Sequence, residues 1–360
     1  MNIAYVKTLP DVRNGLTVWF KSFLTKAMQL GHTVNLIGPN YVIHSNYDYS
    51  WGLTHEYPDS ELLSAHIGSL RPDIVLVTEE LKKLPPSFFD TFEGRIVAYP
   101  HDVAFVCPLY GYNPLLGTVC PHNRIGPYCY DCTAYEYKSY TGTDFYYDKN
   151  KWWELTVSRL ATAHCIVPSQ FMAEFYGGTE YFRSMKVVPN GIDVPSKKYV
   201  RAPGSKKVLL VCGWSDKSDT LDSVSSCLKP LISKGFTFYS TGYSNEYIHK
   251  IEPVSDRKDI EKIYSGFDVY LSLYQFKESY SLALAEANSY GLATVVLANT
   301  GATLERNPTK VVYASPGSED FEAELTQAVV EASCAQTTCF YEGSMLDNAS
   351  TLFSYLENLA

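Results

Sequence analysis

No stretch of this chain approaches the roughly 18 consecutive apolar residues that a membrane-spanning helix needs. The opening MNIAYVKTLP has no basic stretch followed by a long apolar run, so neither a signal peptide nor a membrane span is expected. Charge is also sparse. Charged residues make up 19% of the chain, with 30 basic against 39 acidic side chains and a formal net charge of −9. Such a chain repels a phosphate backbone unless its Lys and Arg are segregated, which argues against a nucleic-acid partner while leaving peripheral contact with a membrane open. Several chemical signatures are missing as well. The sequence has no GxxxxGK followed by Ser or Thr, no GxGxxG after an opening strand, no HExxH and no DxD pair. ATP, NAD and carboxylate-held metal chemistry thereby lose their usual footing.

Cysteine is modest and odd in number, at nine, and Cys165, Cys212, Cys227, Cys334 and Cys339 are scattered through strand and helix patterns. That suits buried thiols in a reducing compartment, the cytoplasm, and not a disulfide framework. What is abundant is aromatic surface, 14% of the chain with 29 Tyr, within an ordinary globular composition that is 46% hydrophobic. Tyr combines ring area with a hydroxyl and is common where polar ligands such as sugars and nucleotides are held. A length of 360 residues corresponds to two domains of about 150 residues each.

One pattern occurs twice. Asn2 to Val6 reads as a buried strand, Lys7 to Gly15 as a polar loop, Leu16 to Leu30 as an amphipathic helix, Gly31 as its stop and Thr33 to Ile37 as the next strand. The order returns with the strand Lys207 to Cys212, the loop Gly213 to Asp219, the helix Thr220 to Lys234, Gly235 and the strand Phe236 to Ser240. Strand, loop, helix, Gly, strand is the opening of a parallel α/β sheet. Further strands are expected at Asp73 to Thr78, Arg95 to Tyr99, Cys165 to Pro168, Asp268 to Leu273, Thr294 to Ala298 and Lys310 to Tyr313. The segment Val188 to Lys207, rich in Pro, Gly and Lys, has linker composition. The expected organisation is a Rossmann-like domain over 1–190, a linker over 191–206, a second Rossmann-like domain over 207–343, and a helix over 344–360 that could pack on either.

Residues 107–150 break the alternation. Ten Tyr lie between Tyr99 and Tyr147, and four Cys (Cys107, Cys120, Cys129, Cys132) fall here with His122 nearby. A structureless stretch this long is usually functional or crosslinked. Structural zinc, one or two disulfides, and thiols all remain open, each pinning the Tyr-rich loop and taking no part in catalysis.

The strongest chemical signal is ESYSLALAEANSYG, Glu278 to Gly291. It lies between two expected parallel strands, so its helix, Ser281 to Tyr290, starts at a strand's carboxyl end, where α/β folds bind ligands. The amides of Tyr280, Ser281 and Leu282 and the helix dipole would attract an anion such as a diphosphate. Glu278 before the helix and Glu286 within it would bracket that anion with two hydroxyl-accepting carboxylates, a pattern that describes a nucleotide sugar. Ordinary solvated helix carboxylates are the plain alternative, but Glu286 interrupts a small, apolar run and there needs a partner.

This segment resembles the E-x7-E motif of retaining glycosyltransferases of the GT-B fold, especially family four. VVPNGID (Val187 to Asp193) resembles that family's interdomain motif and VPSQFMAEFY (Val167 to Tyr176) its preceding helix. The resemblance spans Asn2 to about Ala314 and implies two facing Rossmann-like domains with parallel sheets. It further implies a UDP- or GDP-sugar donor, a hydroxyl acceptor on a glycan, lipid or protein, retention of configuration and no essential metal or other cofactor. Carried over by position, Glu278 would contact the transferred sugar, Glu286 the ribose, and the Ser279 to Leu282 backbone the diphosphate. Asn14-Gly15 would approach donor and acceptor, and His101-Asp102 would sit at the reacting sugar and its acceptor. The family's Gly-Arg and Lys-Gly after the second domain's first strand correspond to Gly213-Trp214 and Lys217. Lys217 can face the leaving diphosphate, whereas Trp214 cannot replace Arg. A GT-B nucleotide-sugar epimerase and a catalytically silent nucleotide-sugar binder are the alternative readings.

Overall fold

The structure is a computed structural model that describes residues 1–7, 15–39, 53–57, 60–78, 84, 86–107, 112–113, 118–122, 124–132, 134–135, 149–192, 206–211, 225–241, 243–252, 257–273, 277–298, 300–337, 339 and 343–360. The chain divides into two compact units, Met1–Asn190 with Met345–Ala360, and Gly191–Ser344.

In unit 1, β1 (Asn2–Val6), β2 (Thr33–Pro39), β3 (Leu53–Tyr57), β4 (Ile74–Val77) and β5 (Ile96–Ala98) precede a short antiparallel hairpin of β6 (Tyr112–Asn113) and β7 (Thr118–Val119). After the hairpin come β8 (His164–Val167) and β9 (Ser184–Val187). The main sheet has the order β3-β2-β1-β4-β5-β8-β9 and is parallel throughout. Strand periodicity explains the two cores. Ala4 and Val6 face one apolar layer while Ile3 and Tyr5 face the other, because successive side chains leave a strand on opposite sides. A strand buried on both faces has to be apolar along its whole length, as NIAYV nearly is.

The first helix (Gly15–Gln29) supplies Trp19, Phe20 and Phe23 to one of those layers. The C-terminal helix (Met345–Glu357) packs there too, with Phe353 stacked on Phe23 at 4.8 Å between ring centroids. Burying one such ring contributes roughly 2 kcal/mol. Met1, through its amino group, and Glu357 meet the His32 ring at 3.1 and 3.3 Å. The C-terminal helix, which the sequence would allow on either domain, therefore belongs to unit 1.

Unit 2 repeats the plan. Its strands are β10 (Lys207–Val211), β11 (Thr237–Thr241), β12 (Ile248–Ile251), β13 (Val269–Ser272), β14 (Ala293–Leu297) and β15 (Lys310–Val312), in the order β12-β11-β10-β13-β14-β15 and all parallel. Both sheets reverse their winding beside the unit's first strand, between β1 and β4 and between β10 and β13, the position where doubly wound folds bind ligands. Gly31 (φ +74°) and Gly235 (φ +87°) close the helix of each repeat in the left-handed region, which a side chain adopts only at a cost.

Two expectations change. The helix expected over Thr220 to Lys234 has, among the described residues, a 3-10 turn Ser226–Leu228 followed by Lys229–Ser233, with Pro230 in its first turn. Proline starts a helix readily and fits poorly inside one. Sequence reasoning also missed β3, β9 and β12, which all lie at sheet edges. Edge strands such as IHKI and SMKV face solvent and so lack the continuous apolar runs of central strands.

Candidate functional site

The candidate site is built where β13 ends and the helix Leu282–Ser289 begins. The Glu278 backbone is fixed first. Its amide donates to the Thr300 carbonyl at 3.0 Å and its carbonyl accepts from the Ala302 amide at 2.8 Å, a one-residue parallel bridge opposite Gly301. The carboxyl group follows from that anchoring. Its Oε2 is shielded from solvent and, among the described residues, has no hydrogen-bond partner. Burial raises the carboxyl pKa from the usual 4.5 to about 7, opposed by the nearby Ser281 hydroxyl. That hydroxyl caps no amide of the helix that follows.

Ser281 is itself unusual. It precedes the helix with φ 57° and ψ 68°, a left-handed conformation that a residue with a side chain adopts at a cost of about 1–3 kcal/mol. The first intrahelical bond of the segment runs from the Ala285 amide to the Ser281 carbonyl at 3.0 Å, so the first-turn amides after Ser281 have no intrahelical acceptor. A buried carboxyl oxygen lacking a donor, a strained N-cap and a row of first-turn amides thus lie within seven residues, Glu278 to Leu284.

Glu286 differs. The Tyr264 hydroxyl, 2.9 Å from Glu286 Oε2 and 3.2 Å from the Ala283 carbonyl, donates to this site, and the Tyr264 ring stacks on Tyr290 at 5.2 Å. Burial and the Glu286 charge push the Tyr264 phenol pKa well up, keeping it protonated. The partner required by a carboxylate in an apolar run is therefore Tyr264. The Tyr280 ring is buried, and its hydroxyl accepts from the Gly191 amide at 3.1 Å. Ile192 packs on Tyr280 and Ala285, so Gly191 and Ile192 of the VVPNGID motif belong to this site. Beneath the Tyr280 ring sits Arg306, 3% exposed, with its guanidinium carbon 4.0 Å from the ring centroid.

Sequence reasoning missed Tyr264, Arg306 and the Gly191 contact. KIYSG and LERNPTK carry no motif, and an Arg amid polar residues reads as solvent-facing. The only signal was indirect: Glu286 needed a donor. Of the remaining expected residues of this site, Ser279, Tyr280 and Leu282 stand with Glu278 at the helix start, while Gly213, Trp214 and Lys217 lie outside the described residues.

The other expected residues belong to unit 1. His101 follows β5, with its ring 4.5 Å from Trp19 and 4.4 Å from Tyr99. Burial first and the Lys7 ammonium second lower its pKa well below the usual value, so the imidazole is neutral at pH 7. The Asp102 carbonyl accepts from the buried Tyr176 hydroxyl at 2.8 Å. Gly15 is the first residue of its helix, and Asn14 lies outside the described residues. In the Tyr-rich stretch, burial pushes the Cys129 thiol up to about 12, with Cys107, Cys120 and Cys132 adding to the rise. His122 stacks on Tyr128 at 3.7 Å. The four sulfurs share a neighbourhood, yet among the described residues no group of three or more His, Cys, Asp or Glu side chains is arranged to hold a metal ion.

No family model and no curated protein matches the chain. Solved structures do. A glycosyltransferase from Rickettsia africae aligns over 99% of this chain and 98% of its own at 12% identity and TM-score 0.60. Sucrose-phosphate synthase from Thermosynechococcus elongatus aligns over 99% and 96% at 12% identity and TM-score 0.56. An E. coli trehalose-6-phosphate structure bound with UDP-2-fluoro glucose aligns over 100% and 96% at 10% identity and TM-score 0.53. Two parallel, doubly wound units and these likenesses define the chain's fold as GT-B, the fold of solved glycosyltransferases.

Proposed function

We propose that this protein is a nucleotide-sugar-dependent glycosyltransferase that retains anomeric configuration, with its donor held in unit 2. The observation that carries the reading is Glu278, a buried carboxyl with an unpartnered Oε2 at a strained helix start. A carboxyl desolvated in this way is costly unless a ligand completes it. A sugar hydroxyl can donate to Oε2, while the first-turn amides and the helix dipole hold the diphosphate of a UDP- or GDP-sugar. Glu286, oriented by Tyr264, accepts from the ribose hydroxyls.

In the step itself, the bond from the anomeric carbon to the diphosphate oxygen breaks. The acceptor oxygen bonds to the same face of that carbon, and its proton passes to a donor phosphate oxygen. Ionised Glu278 stabilises the positive charge that develops on the sugar, and Lys217 the charge on the departing diphosphate. The neutral His101 imidazole is assigned with Glu278 to the reacting sugar, Asn14 and Asp102 to the acceptor, and Gly15 and Trp214 to the donor. Gly213 is assigned to the donor as well. The cation and helix amides replace a carboxylate-held metal, and the cysteine cluster takes no part.

A panel of UDP- and GDP-sugars, incubated with and without acceptor-containing extract and with a chelator present, tests the reading. Acceptor-dependent release of nucleoside diphosphate that survives chelation is expected. Donor epimerisation without acceptor, donor binding without turnover, or activity restored only by added magnesium or manganese would contradict it.

A further inference from the structure

A buried guanidinium is costly where an aliphatic side chain would pack freely, so its retention calls for an interaction that needs it. Arg306 ends the 3-10 helix Ala302–Arg306 after β14. Its Nε donates to the Tyr280 carbonyl at 3.1 Å, and its guanidinium carbon lies 4.0 Å from the centroid of the same residue's ring. The Arg306 backbone reaches the other end of the site helix, where its carbonyl accepts from the buried Asn288 side chain at 2.6 Å. The carboxylate of the adjacent Glu305 is 3.8 Å from the guanidinium and more exposed. One residue is therefore bonded to the peptide just before Ser281 and to the last turn of Leu282–Ser289.

The Tyr280 carbonyl belongs to the peptide unit whose N–H is that of Ser281. Fixing this oxygen fixes the plane of that peptide and hence the left-handed turn that aims the first-turn amides. The guanidinium also adds a permanent positive charge beside a helix start that already attracts anions. On the far side of Tyr280, its hydroxyl takes the Gly191 amide at 3.1 Å, so the ring is held at both its backbone and its tip.

We propose that Arg306 is a positioning residue that, through Tyr280, sets the phosphate-binding turn of this site without touching the ligand. The inference rests on the nucleotide-sugar reading above and adds a residue that acts through the turn. A loose turn would lose phosphate affinity, while nucleoside affinity, which depends on other contacts, would stay. The test compares UDP and GDP, measured by calorimetry, with uridine and guanosine, measured by ligand-detected NMR.

For Arg306→Met, the diphosphate dissociation constant should rise tenfold or more and the nucleoside constant stay within twofold, with donor KM rising more than kcat falls. Tyr280→Leu should behave alike. Arg306→Lys, which keeps charge but not the Nε geometry, should recover part of the loss and carries the test if the Met variant does not fold. Folded Arg306→Met and Arg306→Lys proteins that bind diphosphates as the parent does would overturn the inference alone, and parallel loss of nucleoside affinity would do the same by revealing a general structural role. A parent protein that binds no nucleoside diphosphate would overturn the reading beneath it.

Discussion

A carboxyl group whose oxygen is buried without a donor resists ionisation, and at Glu278 this couples folding to pH. Its pKa rises from 4.5 in the unfolded chain to about 7 in the fold. The folded protein therefore binds the proton more tightly than the unfolded chain. The resulting penalty is absent below about pH 4.5, grows between pH 4.5 and 7, and is complete above 7. Glu278→Gln should therefore be more stable than the parent at pH 8, by on the order of 3 kcal/mol, with the advantage vanishing near pH 4. Chemical denaturation at the two pH values checks this, and an equal offset at both would contradict it. The position was legible in the sequence because two Glu framed a small-residue helix after a strand. Arg306 and Tyr264 were not, since a lone Arg or Tyr acquires meaning only from distant segments: Arg306 from Tyr280 and Asn288, Tyr264 from Glu286.

At the scale of elements, the helix stops were legible because glycine at a helix end has one physical meaning. Gly31 has φ +74° with open space where a Cβ would stand, whereas Gly68, inside the helix Ser60–Leu70, also has open space there but no positive φ. Sterics being equal, backbone conformation alone decides the sign. Gly31→Ala should destabilise by about 1–2 kcal/mol, and Gly68→Ala should stabilise by about 0.5–1 kcal/mol by restricting the unfolded chain. Denaturation midpoints of the two variants give the answer, and a shared sign would refute the conformational origin of these helix stops. Edge strands were illegible for a related reason. Ile248–Ile251 alternates burial weakly and has a sheet neighbour on one side only, so its pattern resembles that of a polar loop.

For the whole molecule, the repeat of strand, loop, helix, glycine and strand carried most of the architecture. Each copy opens a sheet wound on both sides of its first strand, and that winding creates the ligand position at the carboxyl ends. The linker composition around Val188 to Lys207 surrounds the point, between Asn190 and Gly191, at which the chain passes from one unit to the other. It gave no hint that Gly191 would donate to Tyr280, since this contact joins residues 89 apart in sequence.

In the proposed donor site, the helix Leu282–Ser289 holds a nucleoside diphosphate with Glu286 on the nucleotide and Glu278 on the sugar. Calorimetric titration of UDP and GDP into the parent, Glu286→Ala and Glu278→Ala tests it most directly. One of the two nucleotides should bind the parent, Glu286→Ala should weaken it roughly tenfold, about 1.4 kcal/mol, and Glu278→Ala should leave its affinity nearly unchanged. Loss of affinity in Glu278→Ala with none in Glu286→Ala would mean that the ligand lies the other way round, and full affinity in both variants would remove these carboxylates from the site.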